Sequence, residues 1–283
     1  MTLRLSVCGG AIAVRRYWGM ARNRTLACVM AHPDDDAYGI AGTVALHADE
    51  ADFRFVLVLA THGELADIPA GASWTREDLP AMRQAEDEAA WRAVGRVPDR
   101  HEWLGLPDGG LADLRFEDVV DAVLPILDEE DPAVVVTFGP DGIFGHPDHI
   151  TIGAATDEAF RRLRAPGRRG FQRLVHGAVP QSVFERWNAQ RAEMGLPTFD
   201  PTQTYHMRGV PDEEIGVVVD CGSVAHRVVA GLQQHRSQHH VMSDDPTDTE
   251  QWARRVRRES YVVVWPEREP GAPLLADLFE GLD

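Results

Sequence analysis

Apolar and polar positions fall along this chain in blocks rather than in strict alternation. Thr25–Ala31, Phe53–Ala60, Arg100–Leu104 and Ala133–Phe138 read as strands. In all of them but Arg100–Leu104 the apolar runs are nearly continuous, the pattern of strands buried on both faces. Between them, Gly39–His47, Leu79–Gly95 and Phe116–Glu130 carry helical spacing and good helix formers. In the second of these, Met82, Ala85, Ala89 and Val94 suggest one apolar stripe, with Arg83, Glu86 and Glu88 elsewhere. A helix from His149 to about Arg164, a basic loop to Arg169 and a strand at Leu174–Val179 follow. Residues 180–213, punctuated by Pro, read as an irregular elaboration; Ile215–Asp220, a helix near Ser223–Ser237 and a strand at Tyr261–Trp265 close the pattern. Strands alternating with helices predict an α/β fold: a Rossmann-like, mostly parallel sheet with helices on both faces, in a single domain.

Two of these strands end in unusual chemistry. The first runs into His32-Pro33-Asp34-Asp35-Asp36, and the fourth leads to His146-Pro147-Asp148-His149. In doubly wound sheets ligands bind beyond the carboxyl ends of strands, where strand order reverses. The first and fourth strands flank that point in the commonest order, so the two clusters are expected at one rim. Capping of the following helix by an aspartate, or a Pro-started helix, accounts for part of each motif. Neither accounts for four polar groups crowding one strand mouth, which is costly unless something pairs with them. Imidazole and carboxylate without thiolate suit zinc, or another first-row divalent ion. Two histidines and one carboxylate leave an open position for a water whose pKa the ion lowers, and a neighbouring carboxylate can take its proton. The residue types alone do not choose between His146 and His149 as the second imidazole.

The motif Ala31-His32-Pro33-Asp34-Asp35 together with His146-Pro147-Asp148-His149 resembles the LmbE/PIG-L family of zinc-dependent de-N-acetylases. The likeness runs from about Thr25 to His240 and takes in Thr61-His62-Gly63-Glu64, Arg83-Gln84-Ala85-Glu86, Leu106-Pro107-Asp108-Gly109 and His235-Arg236-Ser237-Gln238. It implies that His32, Asp35 and His149 bind zinc, that Asp34 is the general base, and that His146 stabilises an oxyanion or protonates the departing amine. It also implies substrate contacts from Arg83 and Asp108, with Glu64 shaping the same pocket. The implied substrate is a small amino sugar or N-acylated conjugate, hydrolysed at its amide; a cysteinyl-glucosamine amide or a natural-product intermediate is the alternative. Two positions depart from the family. Asp36 stands where Glu is usual, and Phe144 stands where some sugar deacetylases carry Tyr. Of His235, His239 and His240, only His235 is kept as a pocket candidate.

Composition narrows the partners. With 28 Lys and Arg against 45 Asp and Glu, the formal net charge is −17, which repels nucleic acid and anionic lipid. Cys8, Cys28 and Cys221 form no Cys-x-x-Cys pair, which argues against a thiolate zinc knot or a disulfide scaffold. No run reaches the roughly 18 apolar residues of a membrane helix, so no stable membrane insertion is expected. Residues 1–24 read as a loosely docked leader, with Met20 as an alternative start, ahead of one catalytic domain at 25–283 in a cytoplasmic protein. A magnesium-dependent nucleotide-sugar transferase is the rival of another class, since Asp34-Asp35-Asp36 contains Asp-x-Asp. Magnesium prefers oxygen ligands, and the paired histidines speak against it.

Overall fold

The structure, a computed structural model, describes residues 23–242 and 248–282. The expected leader, with Cys8 and Met20, lies outside the described residues except for Asn23 and Arg24. Strands β1 (Thr25–Met30), β2 (Arg54–Leu59), β3 (Arg100–Trp103), β4 (Val134–Phe138), β5 (Arg173–Gly177), β6 (Ile215–Asp220) and β7 (Arg258–Trp265) form one seven-stranded sheet. Its order is β3-β2-β1-β4-β5-β7-β6. From β3 to β5 all neighbours are parallel; β7 is antiparallel to both β5 and β6. The chain leaves β1 toward β2 and returns to lay β4 on the other side, so the reversal point lies between β1 and β4 as expected. β4 and all of β1 beyond Thr25 are buried, which is why their apolar runs are unbroken.

The helices are α1 (Asp35–Gly39), α2 (Ala41–Leu46), α3 (Leu79–Val94), α4 (Phe116–Glu130), α5 (Gly142–Gly145), α6 (Pro147–Leu163), α7 (Gln181–Glu193), α8 (Ala225–Leu232), α9 (His239–Met242) and α10 (Thr249–Arg255). Helix α4 packs on α6, while α2, α3 and α10 pack on α8, which gives the buried strands a covering layer on each face. Helix α4 shows the local logic well. Val119, Val120, Val123, Ile126 and Leu127 form its buried face, Glu117 and Asp118 favour its positive N-terminus, and Asp131 ends it in the left-handed region. No helix among the described residues is long and apolar enough to cross a membrane.

Three expectations are corrected. The helix expected over Gly39–His47 is the shorter α2, and a separate turn of helix, α1, precedes it, with the break at Ile40. The restart is stabilised from a distant strand of the sheet: buried Glu259 in β7 accepts the N–H groups of Gly42 (2.6 Å) and Thr43 (3.0 Å) and the hydroxyls of Thr43 and Tyr261. These are the backbone donors that a helix start leaves unpaired. Within 180–213, expected to be irregular, α7 forms; only Phe184 on it is buried, so periodicity could not announce it. The inward face of α3 is not the Met82–Ala85–Ala89 stripe. It is Leu79, Arg83, Asp87, Ala90, Trp91 and Val94, two of them charged.

The C-terminal turn is tied back to the first half of the chain through His47. Its ring lies 2.8 Å from both Glu50 Oε1 and Asp277 Oδ2, and it contacts the rings of Phe53 and Phe279. Burial alone pulls the imidazole down, but the two carboxylates outweigh it and hold His47 above its ordinary range. A raised folded value means stability that is complete below the unfolded imidazole's pKa of about 6.5 and fades as pH rises through the folded value. His47→Ala should therefore cost about 1–2 kcal/mol more near pH 6 than near pH 9, the scale of a charge-assisted hydrogen bond. Urea unfolding of both proteins at the two pH values checks this; an equal deficit at both would contradict it.

Candidate active site

The carboxyl end of β1 turns at His32 and Pro33 into α1. Asp35 closes the turn, its N–H reaching His32 O while its Oδ2 accepts the His32 N–H at 2.8 Å. Between them Asp34 adopts φ 102°, a left-handed conformation that strains a residue with a side chain. Across the rim, α6 starts at Pro147, and the side chain of His146 accepts the Asp148 N–H through Nδ1 (3.1 Å). That bond caps the helix and leaves the His146 proton on Nε2. His149, one turn into α6, stacks flat on Phe138 at the end of β4, with ring centres 3.9 Å apart.

These pieces bring His32, Asp35 and His149 together. His32 Nδ1 lies 3.2 Å from Asp35 Oδ2 and 3.2 Å from His149 Nε2, and the third edge, His149 Nε2 to Asp35 Oδ2, is 3.3 Å. A tetrahedral ion with ligands at roughly 2.0–2.1 Å has ligand-to-ligand edges of about 3.3 Å. The far nitrogen of each ring is anchored to an acceptor. His32 Nε2 faces Asp108 Oδ1 (3.1 Å) and Asp148 Oδ2 (3.3 Å), and His149 Nδ1 faces the carbonyl of Gly142 (3.2 Å). Such partners fix the tautomer that presents the other nitrogen to a metal. Burial pulls His32 down, yet Asp108, Asp148 and Asp35 hold it well above the imidazole range, so the surroundings favour positive charge at this spot. The donor set therefore fits a divalent ion.

A second group, His32, His146 and Asp148, also converges. Its donor atoms are already engaged: His146 Nδ1 caps α6, and buried Asp148 accepts the N–H groups of Gly109 (2.7 Å) and Leu111 (3.1 Å) besides facing His32. The hydrogen bonding thus separates His149 from His146, which the residue types could not do.

The remaining expected residues surround the cluster. Asp34 Oδ2 lies 3.2 Å from Arg83 Nη2; burial pushes its carboxyl up to about 7, against the pull of Arg83. The Arg83 guanidinium is buried and also donates to Gly63 O and Pro33 O, so it clamps the strand-end turn. Glu64 and Asp108 cross-link the loops after β2 and β3: Asp108 N–H donates to Glu64 Oε1 (2.9 Å), and Leu65 N–H donates to Asp108 Oδ2 (2.6 Å). His146 is held near His32 and His149, with ring centres 4.7 and 4.8 Å away; burial and those two imidazoles pull it down to about 4. His235 is not a surface histidine: it is fully buried, and burial, with Arg83 beside it, pulls it down to about 3.

Sequence reasoning gave Asp148 no role, although it stands inside a quoted motif. It also passed over Trp91 and Asp87. Trp91 Nε1 donates to Asp36 Oδ2 at 2.6 Å, and Asp87 is buried behind that carboxylate, where burial and Asp36 hold its carboxyl well above the usual range. No pattern along α3 marks them, because their partners lie in another segment.

A Rossmann-like sheet with a His-Asp-His cluster at its reversal point defines a class of metal-site α/β protein. The chain belongs to the PIG-L (GlcNAc-PI de-N-acetylase) family, whose model matches residues 27–160. It is 32% identical over 287 residues to 1D-myo-inositol 2-acetamido-2-deoxy-α-D-glucopyranoside deacetylase 2 of Saccharopolyspora erythraea, covering 90% of this chain and 99% of that protein. Among solved structures it resembles the N,N'-diacetylchitobiose deacetylase of Pyrococcus horikoshii (TM-score 0.56, 21% identity, 85% of this chain and 83% of that one). It also resembles the 4-carboxy-2-hydroxymuconate hydratase of Pseudomonas putida KT2440 (TM-score 0.61, 16% identity, 88% and 100%). At such identities the likeness speaks for the fold alone, and the fold evidently carries more than one chemistry.

Gly63 tests the clamp. At φ +64° it is left-handed, and a Cβ there would stand 2.0 Å from Arg83 Nη1. Gly63→Ala should destabilise by about 2–3 kcal/mol, of which about 1 kcal/mol is backbone strain. In an Arg83→Ala background only the strain should remain. Denaturant titrations of the four proteins check it; equal costs in both backgrounds would refute the clash.

Proposed function

We propose that the protein is a metal-dependent amidohydrolase that removes the acetyl group from the nitrogen of an amino-sugar conjugate. The observation that carries this reading is the triangle of donor atoms with both far ring nitrogens anchored, beside the buried carboxylate of Asp34. The 32% identity to a 1D-myo-inositol 2-acetamido-2-deoxy-α-D-glucopyranoside deacetylase over 90% of the chain supports amide hydrolysis over the other chemistry this fold carries. His32, Asp35 and His149 hold the ion, and two imidazoles among three donors favour zinc over magnesium. When bound, the ion supplies Lewis acidity that eases deprotonation of water and polarises a carbonyl.

The chain's own residues divide the proton work. Asp34, fixed by Arg83, takes a proton from the water that attacks the amide carbon. His146 donates a hydrogen bond from Nε2, either to the carbonyl oxygen as it becomes negative or to the departing nitrogen. Water and amide yield acetate and free amine, and the proton held by Asp34 returns to the amine. Glu64, whose Oε2 is buried without a protein partner, is placed to accept a sugar hydroxyl. Asp108 completes the polar wall of the substrate pocket, and Arg83 stands behind it, holding Asp34 in place. One domain spanning 25–283 carries all of these groups, and the buried free thiols Cys28 and Cys221 suit a reducing cytoplasm.

Purified protein should contain close to one equivalent of zinc and release acetate from 1D-myo-inositol 2-acetamido-2-deoxy-α-D-glucopyranoside. Chelation should abolish turnover and lower Tm, and zinc should restore both. Asp34→Asn should lower kcat by about 10²–10⁴-fold while keeping its zinc. Mass analysis of the products distinguishes acetate from a larger acid, and an active, zinc-replete Asp34→Asn protein would remove Asp34 from the mechanism.

A further inference from the structure

The rim of this site is rich in acceptors and short of donors. Asp34, Asp35, Asp36, Glu64, Asp108 and Asp148 supply carboxylates, and the guanidinium of Arg83 is turned inward. Phe144, whose ring centre lies 4.8 Å from that of His149, has nothing to donate. One more ring reaches this place from the segment after α7. Tyr205 stands edge-on to His146, with ring centres 5.3 Å apart, and 6.5 Å from Phe144, yet remains 62% exposed. Among the described residues nothing accepts a hydrogen bond from its phenol.

Its position is built rather than incidental. Tyr205 N–H donates to Phe144 O (2.7 Å), Arg208 N–H to Ile143 O (2.9 Å), and the Arg208 guanidinium to Asp141 O (3.3 Å). The segment 205–208 is thus laced onto the turn that precedes His146. Tyr205 adopts φ 64°, and so does Ile143 opposite it. Of the five non-glycine residues with positive φ among the described residues, three (Asp34, Ile143 and Tyr205) gather at this site. Such conformations persist where surrounding structure over-determines them, and they cluster where function needs a fixed geometry.

We infer that Tyr205 completes the site as a catalytic residue: its phenol O–H donates a hydrogen bond to the carbonyl oxygen of the scissile amide. The inference rests on the hydrolase reading above. It also divides the labour, since a second donor at the carbonyl oxygen leaves His146 Nε2–H free to hydrogen-bond the departing nitrogen while the proton taken up by Asp34 is delivered to it. The adjoining His146 ring and the backbone ties hold the phenol at the mouth, where a donor aimed at developing charge acts most strongly.

The test compares wild type, Tyr205→Phe, Tyr205→Ala and the double variant Tyr205→Phe/Phe144→Tyr on 1D-myo-inositol 2-acetamido-2-deoxy-α-D-glucopyranoside, with released amine as readout. Tyr205→Phe keeps the ring and should lower kcat about 10–100-fold, with KM, zinc content and Tm close to wild type. Phe144→Tyr sets a second phenol beside the same imidazoles and should recover at least part of that loss. Unchanged kcat in Tyr205→Phe overturns the proposal, as does a pattern in which only Tyr205→Ala is impaired, through KM. A wild-type protein without turnover takes down the hydrolase reading and this proposal together; an active wild type matched by Tyr205→Phe takes down this proposal alone.

Discussion

The contact on which the most depends is that between His32 Nε2 and the two carboxylates of Asp108 and Asp148. It sets the ring's tautomer and aims Nδ1 at Asp35 and His149. Asp148 does more than hold an imidazole, because its oxygens also take two N–H groups from the loop after β3, in the first turn of α6. The end of β1, the loop after β3 and the start of α6 therefore meet on a single buried carboxylate. A charge so placed is tolerable only because every side of it is engaged.

Around that contact the site concentrates negative charge. Asp34, Asp35 and Asp36 follow one another, Asp87 lies behind Asp36, and Asp108 and Asp148 close the other side. The cations answering them directly are few, with Arg83 the principal one. Burial is the largest cause of the upward push on the carboxyls of Asp34, Asp36 and Asp87, and the neighbouring carboxylates add to it. This imbalance is the electrostatic counterpart of the donor triangle: both describe a place that is completed by a positive ion.

Much of this was legible along the chain, and the parts that were not share a cause. Unbroken apolar runs marked β1, β2 and β4, and the polar clusters after β1 and before α6 named the rim. The ligand choice between His146 and His149 needed the helix cap at His146 Nδ1, which no spacing rule contains. On α3, sequence periodicity selected Met82 and Ala85, whereas the helix buries Arg83 and Asp87 because its inner face meets a charged site as well as the apolar core. The break between α1 and α2 depends on Glu259, more than two hundred residues away. Asp36, read as a shortened arm, finds its partner in Trp91 on that same unreadable face.

Glu259 carries a consequence for where this protein can be divided. The region matched by the family model, residues 27–160, holds the cluster at the end of β1 and the start of α6. The backbone donors that start α2, immediately after the ligand-bearing turn, are nevertheless satisfied from β7, an antiparallel strand near the other end of the sheet. The segment matched by the family model thus draws part of its support from a strand outside it. A chimera or truncation that preserves every residue of the motifs but replaces the last two strands would leave the turn beside the donor triangle without its support.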